Sequence, residues 1–323
     1  MTGSQIRGVG VYRPARIVHN DEICGPIDST DEWIRQRCGI VTRRFAAPEE
    51  TVVSMAAAAG TAALRQAGLT ADGVDVVIVA TMSYLYQSPA AGPQVADLIG
   101  AHRAAAFDLG AACAGFCSAL AVADSLVRSG SAGRALVIGS ERMTDIIDPK
   151  DRSTAFLFAD GAGAVVVEAS GTRGIHPVAW GADGARSGVI GHDGPWTAVR
   201  DHPGSWPVMR MAGQEVFRWA ISEVTPVARE AVRAAGLTVG DLAAFVPHQA
   251  NVRIIDRLAA GLGLPANVVV SRDVERAGNT SAASIPLALE SLMSEGRVPA
   301  GGLALLSGFG AGLSQASMVV RLP

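Results

Sequence analysis

Three short stretches of this 323-residue chain combine residue types able to do nucleophilic and hydrogen-bonding chemistry at a carbonyl group. In LGAACAGF (109–116), Cys113 stands where a strand pattern, AAAFDL, gives way to a helical one. A cysteine in the first turn of a helix faces unpaired backbone N–H groups and the positive end of the dipole. Both favour the thiolate, the nucleophilic form. Its neighbours Ala111, Ala112, Ala114 and Gly115 leave room for a carbonyl to approach the backbone. On these residues alone, a packed core thiol is as good a reading as a nucleophile. Cys117, one turn further into the apolar run, reads as core packing.

The second stretch, VPHQAN (246–251), ends an apolar strand pattern at His248 and leads into the helical pattern NVRIIDRLAAGLG. The third, RAGNTSAAS (276–284), carries Asn279, which beside a glycine could equally be a turn residue. Taken together, a histidine and an asparagine suggest two neutral donors aimed at one oxygen, an arrangement that stabilises an enolate. An aspartate at 279 would have suggested general-base chemistry instead. The terminal SGFGAGLS (307–314) reads either as a tight turn or as a loop donating a backbone N–H to an oxyanion. It lacks the spacing and the lysine of a nucleotide-phosphate loop.

An internal repeat supplies the elements that would bring these residues together. AGLT occurs at 67–70 and again at 235–238, each after an alanine-rich helical pattern and before an apolar run, VVIVAT (76–81) and AAFVPH (243–248). The same offset of 168 places Gly110 on Gly278, and so Cys113 on Ser281; ALVIG (135–139) and ALLSG (304–308) repeat at 169. Each half reads strand, turn, helix, strand, which implies mixed sheets covered by helices. Two such halves, 1–170 and 171–323, predict an α/β fold with five layers, α/β/α/β/α. Cys113 then faces the loop of Asn279, and His248 ends a strand, where ligand sites of α/β folds cluster. The Gly/Pro/Trp-rich stretch 181–207 reads as a long loop of the second half, and loops that long are usually functional.

Composition narrows the class. Nearly half the residues are hydrophobic, 18% are charged, and the formal net charge is −3. That describes a packed globule with no basic field to hold nucleic acid. The first residues lack a signal-peptide pattern, and the longest apolar stretch, 104–127, is broken by Asp108 and Asp124. No membrane association and a cytoplasmic location are therefore expected. The four cysteines (24, 38, 113, 117) form neither a disulfide framework nor a metal-binding pair.

ACAGF, PHQAN and GNTSAAS in this order, with a terminal GFGAG, closely resemble ketoacyl synthase III of the thiolase superfamily. STDEWIRQRCGI (29–40) and DRSTAFLFADGAGA (151–164) extend the resemblance over essentially the whole chain. The paired halves are what the thiolase fold's duplication implies. By resemblance, Cys113 takes an acyl group from acyl-CoA. His248 and Asn279 hold the thioester carbonyl of malonyl-acyl carrier protein (malonyl-ACP) and stabilise the enolate left by decarboxylation. The backbone N–H groups of Cys113 and Ala311 match the oxyanion hole. No cofactor or metal is implied beyond the CoA thioester as substrate, and a homodimer is expected.

The resemblance assigns further residues. Trp33 and Arg152 match a pair that sandwiches the CoA adenine, Arg37 matches a phosphate contact, and Ser29 stands where a threonine is usual. Met143, Leu157, Phe158, Met209 and Phe309 match the acyl pocket and its surroundings. Arg218 and Arg253 match docking positions for the acidic carrier, and Arg257 lies one turn beyond Arg253. Two lysines usual further along that helix are replaced by Ala260 and Gly261; the chain's one lysine is Lys150. The wording of IDSTDEWI, ERMTDIID and VVVSRDVERAGNTS is similar to that of actinobacterial enzymes that prime aromatic polyketides, so fatty acid or polyketide initiation is implied. A degradative thiolase would need a second cysteine in SGFGAGLS, which has none, and an inactive partner subunit would lack Cys113. The alternative that stays open is a thiolase-fold acyltransferase, moving an acyl group to an alcohol or amine without condensation.

Overall fold

The computed structural model describes residues 3–202, 204 and 206–323. Two five-stranded sheets carry the fold. The first runs in the order Gly3–Tyr12, Asp160–Ser170, Arg134–Arg142, Val76–Ala80, Ala105–Leu109. The second runs Ala179–Ala182, Ser314–Arg321, Leu303–Gly310, Ala244–Pro247, Val269–Val270. Numbered by chain position within its own sheet, each reads 1-5-4-2-3. The first three strands pair antiparallel and the last three parallel in both.

The period-two alternation of side chains builds the helix layers. From Val76–Ala80, Val77 and Val79 face one apolar cluster, while Val76, Ile78 and Ala80 face another. The outward cluster packs Val77, Val79, Leu136 and Ile138 under helix Val52–Ala67. The inner cluster joins Val76 and Ile78 to Ala244, Val246 and Leu306 of the second sheet. Helices Gly115–Arg128 and Ser284–Ser294 lie in it, buried on nearly every side. A third cluster packs Phe245, Leu305 and Val319 against helices Thr225–Ala234 and Val252–Leu262. Helix, sheet, helix, sheet, helix is the layering that the sequence predicts.

Two expectations are corrected. The offset across the central layer is 169: turn Ala112–Ala114 corresponds to Ser281–Ala283, so Cys113 matches Ala282 and not Ser281. The stretch 181–207 also carries structure, including turn Gly184–Val189, helix Ala198–Asp201 and strand Ile190–His192, which pairs with Met209–Met211. Tilted ring contacts link His192 to Trp196 and Trp196 to Trp206 across it. Among the described residues, no helix is long and apolar enough to cross a membrane.

Candidate active site

Cys113, His248 and Asn279 line one cavity of about 630 Å³. Cys113 comes from the first half and the other two from the second, as the repeat requires. Cys113 sits in the short turn Ala112–Ala114, two residues before helix Gly115–Arg128 begins. Strand Leu303–Gly310 passes so close that a Cβ on Gly310 would lie 2.8 Å from the Cβ of Cys113. Gly308 would meet the Cα of Ala114 at 3.0 Å. Close approach therefore explains these glycines.

The thiol differs from the sequence-based expectation. Burial pushes Cys113 up to about 12, although the Ser281 hydroxyl opposes this. Burial outweighs the hydrogen bonds that favour the charged form, and so favours the neutral thiol. The same desolvation holds His248 down to about 3, so the imidazole is neutral as well.

His248 follows strand Ala244–Pro247, and its N–H donates to the Ser307 carbonyl at 2.8 Å. Its Nδ1 lies 2.7 Å from the Ser284 Oγ. The ring stands edge-on to Phe309, with centroids 5.3 Å apart and planes at 78°. Asn279 is held as if in a sheet: its N–H donates to Leu157 O at 2.9 Å, and its C=O accepts from Ala159 at 3.0 Å. The Ser281 N–H donates to Asn279 Oδ1 at 2.9 Å. A donor must face oxygen, so this bond fixes the amide orientation and leaves Nδ2 as the free donor.

The backbone N–H of Cys113 bonds to its own sulfur and opposes the rise in its pKa. Among the described residues, no acceptor engages the N–H of Ala311, which directly follows Gly310. Non-glycine residues at positive φ flank the site: Ala112 at 44° and Ser281 at 47°. Such conformations cost energy and cluster at functional sites.

Trp33, Arg37, Arg152, Leu157, Phe158, Phe309, Arg218 and Arg253 also line the cavity. The cavity thus runs from exposed arginines to the buried trio. The Arg152 guanidinium lies 4.8 Å from the Trp33 ring centroid, so a base can enter between them only if Arg152 swings aside. Ser29 is not on the wall; it bonds to Cys24 O in the turn before helix Asp31–Cys38, which Thr30 caps. Met143 and Met209 are buried behind the wall, where Ile190 and Met211 take the lining positions. Arg257 is exposed on helix Val252–Leu262 but lies off the cavity. Ala311 likewise adjoins the wall through Gly310.

Several contributors carry no signature in the sequence. Phe156 meets Trp33 edge-on at 5.1 Å, and Phe217 lies under Arg253 at 5.8 Å. The fully buried Arg43 donates to the Phe156 carbonyl and to Asn20, fixing the segment that pairs with Asn279. Glu141, next to last in strand Arg134–Arg142, carries a buried carboxyl group. It accepts from Ser83 N, Met82 N and, across the two halves, from Ala282 N at 3.4 Å. Burial raises its pKa while those donors oppose the rise.

Comparisons with known proteins agree with this geometry. The family model "3-Oxoacyl-[acyl-carrier-protein (ACP)] synthase III" matches residues 107–184, and its C-terminal counterpart matches 232–322. The chain is 52% identical over 321 residues to a beta-ketoacyl-[acyl-carrier-protein] synthase III of Streptomyces lividans, covering 99% of this chain and 95% of that protein. It is 50% identical over 323 residues to the mycobacterial beta-ketoacyl-[acyl-carrier-protein] synthase III of Mycobacterium avium, covering 100% and 96%. The crystal structure of the priming β-ketosynthase from the R1128 polyketide pathway superposes with a TM-score of 0.98 at 51% identity, covering 100% and 97%. The synthase III of Pseudomonas aeruginosa superposes at 0.94 with 37% identity, covering 99% and 98%. Such likeness spans both halves and the thiolase fold that joins them: the chain belongs to the 3-oxoacyl-[acyl-carrier-protein] synthase III family.

Proposed function

We propose that this cavity performs decarboxylative Claisen condensation in two half-reactions. The observation that carries it is one buried thiol sharing a cavity with two neutral donors. In the first half-reaction, Cys113 attacks the thioester carbon of an acyl-CoA. The Cys–S–acyl bond forms, the acyl–S–CoA bond breaks, and the thiol proton ends on the departing CoA sulfur. In the second, malonyl-ACP loses CO2, and the electrons of the broken C–C bond form an enolate. Its oxygen is held by His248 and Asn279. The enolate carbon attacks the acyl carbon on Cys113, and the N–H groups of Cys113 and Ala311 hold the resulting oxyanion. Cys113 leaves and regains a proton, releasing a 3-ketoacyl carrier.

No resident cofactor enters these steps. Trp33, Arg37 and Arg152 fit the nucleotide end of CoA, with stacking and cation–π contacts. Leu157, Phe158 and Phe309 form apolar walls for the acyl chain, with Met143 and Met209 packed behind them. Arg218 and Arg253 at the rim suit an acidic carrier protein, with Arg257 extending the patch. A homodimer is supported by strand Ala105–Leu109, an edge strand of its sheet, which exposes Phe107. The substrates fit a cytoplasmic location, and the division at 170/171 falls where the chain passes between the sheets.

A panel of acyl-CoAs followed by malonyl-ACP tests the reading. Intact mass is expected to show one acyl group on Cys113, then CO2 release and a 3-ketoacyl carrier, with a solution mass of twice the chain. Acylation followed by transfer to an alcohol or amine, without CO2, would establish the acyltransferase alternative instead.

A further inference from the structure

Ser284 opens helix Ser284–Ser294, is 1% exposed, and has no assigned role in the two half-reactions. Its Oγ lies 2.7 Å from His248 Nδ1, and the Gln249 N–H donates to the same oxygen at 3.3 Å. A hydroxyl has one hydrogen and two acceptor sites. If Nδ1 carried the imidazole proton, it would donate to Oγ, and the hydroxyl hydrogen would need another acceptor. Among the described residues it has none. With the proton on Nε2, the hydroxyl donates to Nδ1, Gln249 donates to the hydroxyl, and every group is satisfied. Buried polar groups without partners are rare because each forfeits its hydration. The Ser281 carbonyl is a second hydrogen-bond acceptor at the ring and favours its charged form, but it cannot take the place of Nδ1 as acceptor for the Ser284 hydroxyl hydrogen.

We propose that Ser284 is a positioning residue that sets the tautomer of His248, holding its proton on Nε2, the nitrogen left for the cavity. This rests on the condensation reading for its purpose, though not for its geometry. An enolate oxygen needs a donor, and a bare Nε2 would present a lone pair to it and repel it. Phe309, edge-on to the ring at 5.3 Å, restricts rotation that would exchange the two nitrogens. The Ser284 hydroxyl and the Ser281 N–H thus do the same job for two side chains. Each engages the far atom so that His248 Nε2 and Asn279 Nδ2 both offer hydrogen.

The test is ¹⁵N NMR of the full chain labelled at histidine, with His248→Gln assigning the signal among six histidines. The wild type should show the protonated nitrogen as Nε2. In Ser284→Ala the signal should move toward a mixture of tautomers. CO2 release from malonyl-ACP should fall roughly tenfold, while Cys113 acylation stays within about threefold. Ser284→Thr, which keeps the hydroxyl, should restore both. A wild-type proton on Nδ1, or an unchanged Nε2 pattern in Ser284→Ala, overturns the proposal. If Ser284→Ala does not fold, the wild-type and Ser284→Thr spectra still decide it. Absence of CO2 release in the wild type would instead break the condensation reading and leave the tautomer result standing.

Discussion

Cys113 keeps its proton because water is excluded, and His248 stays neutral for the same reason. The pair is a thiol and an imidazole, not a thiolate and an imidazolium. With the thiol pushed up to about 12, the thiolate fraction grows tenfold per pH unit across the whole range below that value. Iodoacetamide alkylation of Cys113 in the free enzyme should therefore rise about tenfold per unit between pH 7 and 9, without a plateau. A plateau at or below about pH 8 would show a preformed thiolate and contradict this account. That the trio shares one cavity was legible in the sequence because each member combines a reactive type with a change of pattern, strand into turn or helix. Ser284 and Glu141 were not. Serine and glutamate occur in many settings, and only a fold that buries them beside His248 and Ala282 reveals their contacts.

The elements deliver these side chains through close backbone contact. Strand Leu303–Gly310 approaches turn Ala112–Ala114 within a distance that only glycine permits. Gly310→Ala would press a methyl to 2.8 Å from the Cys113 Cβ and 3.1 Å from its Sγ. The variant should lose roughly 1–3 kcal/mol of stability and most Cys113 acylation; unchanged melting and acylation would refute the packing argument. The repeat was readable from AGLT and the two ALxxG-like runs, since helix and strand periods survive divergence. The one-residue slip at 169 was not, because the connections leading to the two turns differ in length while the turns themselves match, Ala112 and Ser281 both adopting positive φ. The acyl-pocket methionines failed differently. Position along a family pattern cannot tell a lining side chain from one packed immediately behind it, and Met143 and Met209 are behind.

At the scale of the molecule, two sheets of identical strand order meet through helices Gly115–Arg128 and Ser284–Ser294. Cys113 lies at the head of one and the loop of Asn279 just before the other. That symmetry is what allows a thiol and two donors, far apart in sequence, to share one cavity. The layering was readable from alternating strand and helix patterns. Phe156 and Phe217 in the cavity wall, and Arg43 behind Phe156, were not, since they reach it through contacts between distant segments. The central claim is a division of labour: the first half accepts the acyl group, and the second half generates the carbanion. Asn279→Ala tests it most directly, with Cys113 acylation and CO2 release from malonyl-ACP measured on the same preparation. The account predicts acylation within about threefold of wild type and CO2 release lower by roughly 10²–10³. Equal loss in both steps, or CO2 release unchanged, would contradict it.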